Sequence, residues 1–311
     1  MTTLSVVAPI YNEGSLVSEF VKQVVENISK ITSDYEVILV DDGSFDDSWS
    51  FIVKETEGNK KVKGLKLSKN FGHHFAITAG LHNSSGEWVV VMDSDLQDRP
   101  EVISDLYKKA QEGFEVVFVS RRNRPESLVY KSLQKLFYFT LRILSGIKFD
   151  SSQANFSIIH RKVVEAFIKF PEHARFYGST ITWLGFKRSF IEATHGQRFS
   201  GKPSYTIKKR ISLAADIIIS FSGRPLRFAI ILGIIMSIIS LILSLWILIG
   251  VFSWGFTVIG WPSLMASVLF TGGSILVVLG IIGIYLGRVF QEVKSRPLYI
   301  VSETKNVEIV K

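Results

Sequence analysis

The sequence contains no cysteine, so disulfide bridges and thiolate metal sites are excluded. It also lacks a visible secretory signal, because the apolar start from Leu4 to Ile10 is short, has no basic leader and runs into Tyr-Asn-Glu. Acidic residues are in deficit, 28 against 36 lysines and arginines, which gives a formal net charge of +8. This balance favours an anionic partner, namely lipid headgroups, phosphates or nucleic acid.

Long apolar runs without charge are present, and there are two of them. Residues 228–252 and 263–287 are each long enough to cross a bilayer core, which takes a helix of about 20 residues. Only an uncharged stretch, residues 253–261, lies between them. We therefore predict a transmembrane hairpin over residues 228–287, which argues against nucleic acid as the partner.

Basic side chains flank the outer ends of this hairpin. They are Arg224 and Arg227 before the first run, and Arg288, Lys294 and Arg296 after the second. Because such residues stay on the cytoplasmic side, we expect an integral protein of the cytoplasmic membrane with two spans, its large N-terminal region and both termini lying in the cytoplasm. Residues 288–311 then form a cytoplasmic tail.

Residues 1–125 alternate short β-branched runs with amphipathic segments. This alternation predicts βαβ units around a mostly parallel sheet, an α/β fold that binds ligands at the carboxyl ends of its strands. In the region 126–227, two segments at about 128–144 and 205–222 combine helical spacing of apolar residues with lysine and arginine. They are either ordinary packing helices or helices lying in the headgroup plane, and the neighbouring hairpin favours the second interpretation.

Polar clusters follow four of the predicted strands. They are Pro9-Ile10-Tyr11-Asn12-Glu13, Asp41-Asp42-Gly43-Ser44, Lys69-Asn70-Phe71-Gly72 and Asp93-Ser94-Asp95-Leu96-Gln97. Each cluster alone is a weak signal, since a helix N-cap region or an Asp-Gly turn accounts for it. Four of them at successive strand ends of one sheet indicate a shared ligand site.

The last cluster has the residue types of a metal site. On an extended backbone, Asp93 and Asp95 fall on one face, roughly 6–7 Å apart. Mg²⁺ and Mn²⁺ take oxygen ligands and commonly share few protein carboxylates with substrate phosphates. The side-chain carbonyl of Gln97 offers a third oxygen. The alternative is a polar turn at the end of a buried strand.

In this order, the four clusters resemble those of the family 2 inverting glycosyltransferases. More closely, the chain looks like the membrane-bound polyprenyl-phosphate glycosyltransferases, a group that includes dolichol-phosphate mannose synthase and the bacterial undecaprenyl-phosphate glucosyl and aminoarabinosyl transferases. The similarity extends to Gly-Lys-Pro-Ser-Tyr at 201–205, Ser-Phe-Ser-Gly-Arg-Pro-Leu-Arg at 220–227 and Tyr-Leu-Gly-Arg at 285–288. It implies a Rossmann-like, GT-A type nucleotide-diphospho-sugar transferase domain in residues 1–125.

The resemblance also implies a donor site, residue by residue. A UDP- or GDP-linked sugar would be held by Pro9, Tyr11, Glu13, Asp41, Asp42, Lys69, Gly72 and Asp93. Asp93 and Asp95, with Gln97, would hold Mg²⁺ or Mn²⁺ against the diphosphate. Departure of a nucleoside diphosphate builds negative charge, which a cation neutralises as a Lewis acid.

The acceptor implied by the resemblance is a polyprenyl phosphate, such as undecaprenyl phosphate, reached along the membrane face. Arg121, Arg124 and Lys131 are candidates for binding its phosphate, since guanidinium groups suit bidentate phosphate contacts. Arg198 and Lys202 look like the basic residues of the family's mobile acceptor loop. In the alternative interpretation, the basic side chains of Arg121, Arg124 and Lys131 form a solvated or lipid-facing surface. Arg198 and Lys202 would then contact the donor diphosphate.

One departure from the family pattern concerns the catalytic base. Where many relatives carry an acidic residue in a stretch like Asp-Phe-Arg, this chain has Asn155 followed by Phe156 and Ser157. An asparagine cannot take a proton, and a hydroxyl acceptor would need a base at neutral pH. A phosphomonoester needs none, because with a second pKa near 6 it is already largely anionic.

Three other functions are weighed against this one. A processive polysaccharide synthase is expected to have a Gln-x-x-Arg-Trp motif and more spans, and neither is present. Another lipid acceptor with a hydroxyl group should demand the base that Asn155 lacks. A catalytically silent nucleotide-sugar-binding subunit has no reason to keep Asp93 and Asp95.

Relatives are often homo-oligomers, and Gly283 and Gly287 suit close helix contact within the hairpin or between subunits, although small residues are common in membrane helices generally.

Overall fold

The computed structural model describes residues 2–121, 153–170, 172, 175–193, 222–254 and 260–307. The chain divides into two compact units. The first, here called the sheet unit, comprises Met1–Ser132, Phe149–Ser204 and Pro297–Lys311, and the second, the helical unit, comprises Leu133–Lys148 and Tyr205–Arg296. The predicted amphipathic segments lie outside the described residues, except for Ser222 at the end of the second.

The described residues of the sheet unit form eight strands and six helices. The strands are β1 (Leu4–Ile10), β2 (Tyr35–Asp41), β3 (Val62–Leu67), β4 (Trp88–Val91), β5 (Val116–Arg121), β6 (Gln153–His160), β7 (Arg188–Ala193) and β8 (Val301–Lys305). The helices are α1 (Gly14–Ile28), α2 (Ser48–Gly58), α3 (His73–His82), α4 (Val102–Gln111), α5 (Arg161–Ile168) and α6 (Tyr177–Trp183).

These strands make one mixed sheet in the order β7-β5-β6-β4-β1-β2-β3-β8. Its centre, β4-β1-β2-β3, is parallel throughout, as the alternation of strands and helices predicts. All seven residues of β1 are buried, because helices cover both faces of the sheet. One core lies beneath α1, α2 and α4 and includes Phe20 and Leu106, and the other lies beneath α3, α5 and α6 and includes Ile77 and Tyr177.

β6 interrupts the parallel pattern beside β4. It runs antiparallel to β4, with Trp88 opposite His160 and Val91 opposite Ser157. Continued for two residues beyond the end of β4, this register brings Asn155 opposite Asp93. A residue 62 positions further along the chain in the printed sequence thereby reaches the carboxyl end of β4.

The C-terminal segment supplies a strand that the sequence analysis did not identify. β8 pairs antiparallel with β3, and Gly64 and Lys305 are partners in this pairing. Ser68 N–H also donates to the Ile300 carbonyl at 2.8 Å. The strand escaped notice because its sequence, Val-Ser-Glu-Thr-Lys, is short and polar, and most of its side chains are exposed on the edge of the sheet.

The described part of the helical unit consists of α7 (Arg224–Trp254) and α8 (Trp261–Val293). Within α8, the 24 residues Phe270–Val293 are long and apolar enough to cross a membrane, with a mean hydropathy of 2.0. The apolar stretch found in α7 by the same criterion, Leu226–Ile242, is shorter. Many large apolar side chains on both helices are exposed, as suits contact with lipid.

Candidate active site

The polar clusters that follow β1 and β2 are joined by hydrogen bonds. Asn12 N–H donates to the Ser44 hydroxyl at 3.0 Å, and the Asn12 side-chain oxygen accepts from Phe45 N–H at 2.9 Å. These two bonds hold Asn12 at a positive φ of 54°, a conformation that asparagine tolerates better than most residues. The two loops therefore form one surface at the carboxyl end of the sheet.

The cluster after β3 is attached to this surface by Asp42. Its carboxylate accepts from Phe71 N–H at 2.8 Å and from Gly72 N–H at 3.0 Å. Burial raises the pKa of Asp42 above its ordinary value, and the two N–H bonds only partly offset that effect. Gly43, at a φ of 67°, lets the backbones approach closely, because a Cβ there would lie 2.3 Å from the Lys69 carbonyl carbon.

Asp41 presents a buried carboxylate oxygen. Its Oδ1 accepts from Ser44 N–H at 2.9 Å, whereas Oδ2 has no hydrogen-bond partner among the described residues. On the same joined loops, the ring of Tyr11 is 41% exposed and meets Phe45 edge-on, with 6.4 Å between ring centroids. An exposed aromatic ring offers a stacking surface, and a carboxylate oxygen offers a hydrogen-bond acceptor.

The Asp-Ser-Asp turn follows directly from β4. Met92 N–H still donates to the Val7 carbonyl, so the chain leaves the sheet at residue 93. Asp95 accepts from Gln97 N–H at 3.0 Å and from the Gln97 side-chain amide at 2.7 Å. Gln97 thus contacts and orients Asp95, while its carbonyl oxygen as a metal ligand stays a prediction.

Asp93 and Asn155 are brought together by a histidine that the sequence analysis missed. His73 Nε2 lies 3.3 Å from Asp93 Oδ1 and 3.2 Å from the Asn155 side-chain nitrogen. His73 begins α3, directly after the Lys-Asn-Phe-Gly cluster, and this position at a strand end was the available signal. Behind it, burial lowers the pKa of His74 to about 3, with the nearby His73 adding to the effect, so His74 is neutral.

The two aspartates fit a divalent cation that completes its shell with oxygens from a ligand. Carboxylate oxygen is the donor type that Mg²⁺ and Mn²⁺ prefer. Among the described residues, no group of three or more histidine, cysteine, aspartate or glutamate side chains converges as a metal site. A cation at Asp93 and Asp95 therefore depends on further oxygens, which a diphosphate supplies.

The remaining predicted residues divide into two sets. Pro9 and Glu13 contact Ser94 in the Asp-Ser-Asp turn, and Lys69 Nζ lies 5.1 Å from the centre of the Phe71 ring. Arg121 ends β5, but its side chain is not described. The other predicted acceptor residues, Arg124, Lys131, Arg198 and Lys202, lie outside the described residues.

A family model described as glycosyl transferase family 2 matches residues 5–168, from β1 to the end of α5. The chain belongs to glycosyl transferase family 2. The family 2 match contains all four polar clusters as well as His73 and Asn155. The resemblance drawn from the clusters is thereby confirmed.

Relatives extend the similarity to nearly the whole chain. An uncharacterized glycosyltransferase of Synechocystis is 37% identical over 306 residues, which cover 98% of this chain and 96% of that protein. A prophage-derived bactoprenol glucosyl transferase of Shigella flexneri is 33% identical over 302 residues, or 97% of this chain and 98% of that protein. This family 2 member is accordingly a nucleotide-sugar-dependent glycosyltransferase.

A solved structure supports the fold. The mannosyltransferase of Pyrobaculum calidifontis, in complex with GDP-Man and Mn²⁺, matches with a TM-score of 0.50 at 18% identity, over 70% of this chain and 63% of that one. At this identity the likeness concerns the fold alone, which is the mixed α/β fold of nucleotide-sugar transferases. The fold class expected from the sequence is confirmed for the sheet unit.

Proposed function

We propose that the protein transfers a sugar, with inversion at the anomeric carbon, from a nucleotide sugar to a polyprenyl phosphate at the cytoplasmic membrane face. The product is a polyprenyl-phosphate sugar for the assembly or modification of cell-envelope glycans. The observation that carries the proposal is the contact of His73 with both Asp93 and Asn155. Through this contact, the acidic turn of the proposed donor site lies beside Asn155, the amide that stands where many relatives carry an acidic residue. The bactoprenol glucosyl transferase relative supports a polyprenyl phosphate acceptor.

The donor nucleoside lies on the joined loops in this proposal. The base contacts the Tyr11 ring and donates to Asp41 Oδ2, the buried oxygen without a partner among the described residues. Asp42 keeps the Lys69–Gly72 loop in place beside the diphosphate through its two backbone hydrogen bonds. A loop that is already ordered increases the affinity for the donor, because none of the binding free energy is lost in ordering the loop.

Mg²⁺ or Mn²⁺ is the proposed cofactor, held by Asp93 and Asp95 with Gln97 beside them. When bound, such a cation supplies positive charge against the leaving diphosphate. The chain itself orients the carboxylates, since His73 contacts Asp93 and Gln97 contacts Asp95. Aligned ligands are worth about 10- to 100-fold in metal affinity.

The attacking group is the acceptor phosphate, and Asn155 takes no proton from it. A phosphate monoester is already largely anionic at neutral pH, so an amide at this position is compatible with the reaction. Attack from the face opposite the diphosphate inverts the anomeric carbon. Arg121, Arg124 and Lys131 are the proposed phosphate contacts, together with Arg198 and Lys202.

The sheet itself supports two membrane crossings. β8 follows α8 in the chain, yet it pairs with β3, which precedes α7. Because both strands belong to one sheet, the chain between them must begin and end on the same side of a membrane, and it crosses an even number of times. Phe270–Val293 qualifies as one span, so we propose α7 as the other, with the flanking arginines on the cytoplasmic side.

The test uses the full-length protein purified in detergent, with Mg²⁺ or Mn²⁺, undecaprenyl phosphate and a panel of UDP- and GDP-linked sugars. We expect one donor to release its nucleoside diphosphate and the lipid product to show the mass of one added sugar. Asp95→Ala should abolish this release, whereas Asn155→Ala should reduce it by about tenfold or less, the loss of one neutral hydrogen bond.

Three outcomes contradict parts of the proposal. No release from any donor would mean a catalytically silent subunit. Transfer only to a lipid with a hydroxyl group would overturn the phosphate acceptor. An Asn155→Ala variant as inactive as Asp95→Ala would contradict the account of a reaction without a base.

A further inference from the structure

Glu13 occupies the N-cap position of α1, but its side chain makes no capping hydrogen bond. Side chains from the loop after β2 and from the first residue of α2 accept from this end of the helix instead. Gly14 N–H donates to Asp46 Oδ2 at 3.0 Å, and Glu13 N–H donates to the Ser48 hydroxyl at 3.1 Å. Asp46 thus accepts from the first N–H of α1, and the Glu13 carboxylate takes no part in the cap.

That contact is with Ser94, the middle residue of the Asp-Ser-Asp turn. The Ser94 hydroxyl lies within hydrogen-bond distance of Glu13 Oε2 and 2.9 Å from the Pro9 carbonyl oxygen, so its single hydrogen is shared between these two acceptors. The Ser94 side chain is 2% exposed, whereas its neighbours Asp93 and Asp95 are only half-buried. The serine is therefore the most deeply buried residue of the Asp-Ser-Asp turn.

The turn lies at the end of a short strand. β4 is only four residues long and ends at Val91. Three residues beyond the turn's first aspartate, Leu96 adopts a positive φ of 58°, which is strained for a residue with a branched side chain. Strained conformations of this kind persist only where surrounding contacts fix them.

We propose that Glu13 is a positioning residue for the metal-binding turn, acting through Ser94, and that it does not contact the nucleoside. This role rests on the proposed function, in which Asp93 and Asp95 hold the cation. It differs from the donor contact that the family resemblance implies for Glu13. The two roles separate experimentally, because one affects the metal and the other affects the donor.

The kinetic test compares Glu13→Ala, Ser94→Ala, the double variant and Glu13→Gln in the full-length protein. For each single alanine variant, we expect the Mn²⁺ concentration that gives half-maximal activity to rise by about tenfold or more, the usual cost of losing support for a metal ligand. At saturating Mn²⁺, the KM for the nucleotide sugar should change less than about twofold, since uniform donor binding is kept. The double variant should be no worse than either single one.

Glu13→Gln tests the contact conservatively. A glutamine amide can either accept from or donate to the Ser94 hydroxyl, so this variant should keep a Mn²⁺ dependence close to that of the wild type. Glu55→Ala is the matched control, because it removes another serine–glutamate bond, from Ser18 to Glu55 at 2.7 Å, on the α1 and α2 surface. It should leave the Mn²⁺ dependence unchanged.

A second readout does not depend on catalysis. Hydrogen–deuterium exchange of the peptide covering residues 92–98, in the absence of metal and donor, should be faster in Glu13→Ala and in Ser94→Ala, and unchanged in Glu55→Ala. If the wild type showed no metal-dependent transfer, the proposed function would fail, and the exchange data would still decide whether Glu13 holds the turn.

Two results would overturn the positioning role. One is unchanged exchange of residues 92–98 in both alanine variants. The other is a raised donor KM in Glu13→Ala at unchanged Mn²⁺ dependence, with an effect that adds to that of Ser94→Ala, because this pattern belongs to a residue that touches the nucleoside.

Discussion

Replacing Gly43 by alanine tests whether the close packing of two donor loops sustains the site. The φ of 67° lies in the left-handed region, which costs a residue with a Cβ about 1–2 kcal/mol. The added Cβ would lie 2.3 Å from the Lys69 carbonyl carbon and 2.5 Å from Asn70 N, both backbone atoms that no side-chain rotation can move. Overpacking of this kind costs about 1–3 kcal/mol.

Together these terms lower the free energy of unfolding in Gly43→Ala by about 2–5 kcal/mol. At about 2–4 °C per kcal/mol, the unfolding midpoint of the sheet unit should fall by about 4–20 °C. The Lys69–Gly72 loop must also retreat by about 1 Å to reach the ordinary contact distance of 3.4 Å. A displacement of this size costs about 100-fold in rate, so kcat/KM for the donor should fall by that factor.

Gly58→Ala is the matched control, since nothing lies within 4 Å of its added Cβ and its φ is unexceptional. It should leave kcat/KM unchanged and alter stability by less than about 1 kcal/mol, in the stabilising direction. The assays are thermal unfolding followed by circular dichroism and initial rates of nucleoside diphosphate release. A Gly43→Ala enzyme with wild-type midpoint and kcat/KM would refute the reasoning.

Two further predictions concern stability. In Glu36→Gln the buried pair with Lys63 is lost, which should cost about 3 kcal/mol at pH 7. Burial alone would raise the pKa of Glu36, but hydrogen bonds from Lys63 and two serines outweigh burial and hold that pKa below 4.5. The difference in unfolding free energy between the variant and the wild type, measured by urea unfolding, should therefore persist above pH 4.5 and narrow below it. A difference that does not depend on pH would contradict this reasoning. Tyr177→Phe removes the buried bond to the Ser157 hydroxyl, 2.8 Å long, and should cost about 1 kcal/mol in unfolding free energy. Sugar transfer should be retained, because Ser157 still donates to the Asn155 carbonyl, and loss of activity would show that the phenol positions Asn155.

The parallel centre of the sheet could be predicted from sequence because its signal is local. β-branched runs and amphipathic segments alternate, and each polar cluster stands directly after its strand. β8 could not be found in this way, since its pairing with β3 depends on contacts between distant parts of the chain, and its polar residues carry no hydrophobic pattern. The antiparallel entry of β6 beside β4 is non-local in the same sense.

Within the candidate site, the sequence indicated which residues lie close together but not which contacts each of them makes. Asp93 and Asp95 belong to a recognisable pattern within the family 2 match, and their role as metal ligands stays a prediction. The contact of His73 with Asn155 could not be predicted from the sequence, because the position of Asn155 depends on the register of β6 beside β4. The direction of the Glu13 side chain was equally hidden, since it depends on other residues capping α1.

The pairing of β8 with β3 also bears on how the protein is made. Gly64 in β3 can pair with Lys305 in β8 only after β8 has been synthesised. Both hydrophobic helices, α7 and α8, are synthesised between these two strands. During translation, the β3 edge therefore stays open until α7 and α8 have been synthesised, and an open edge is prone to pair with other chains. A ribosome that stalls before Val301 leaves this edge unpaired. A chain that ends before β8 keeps this edge open and should therefore aggregate more readily than the complete chain.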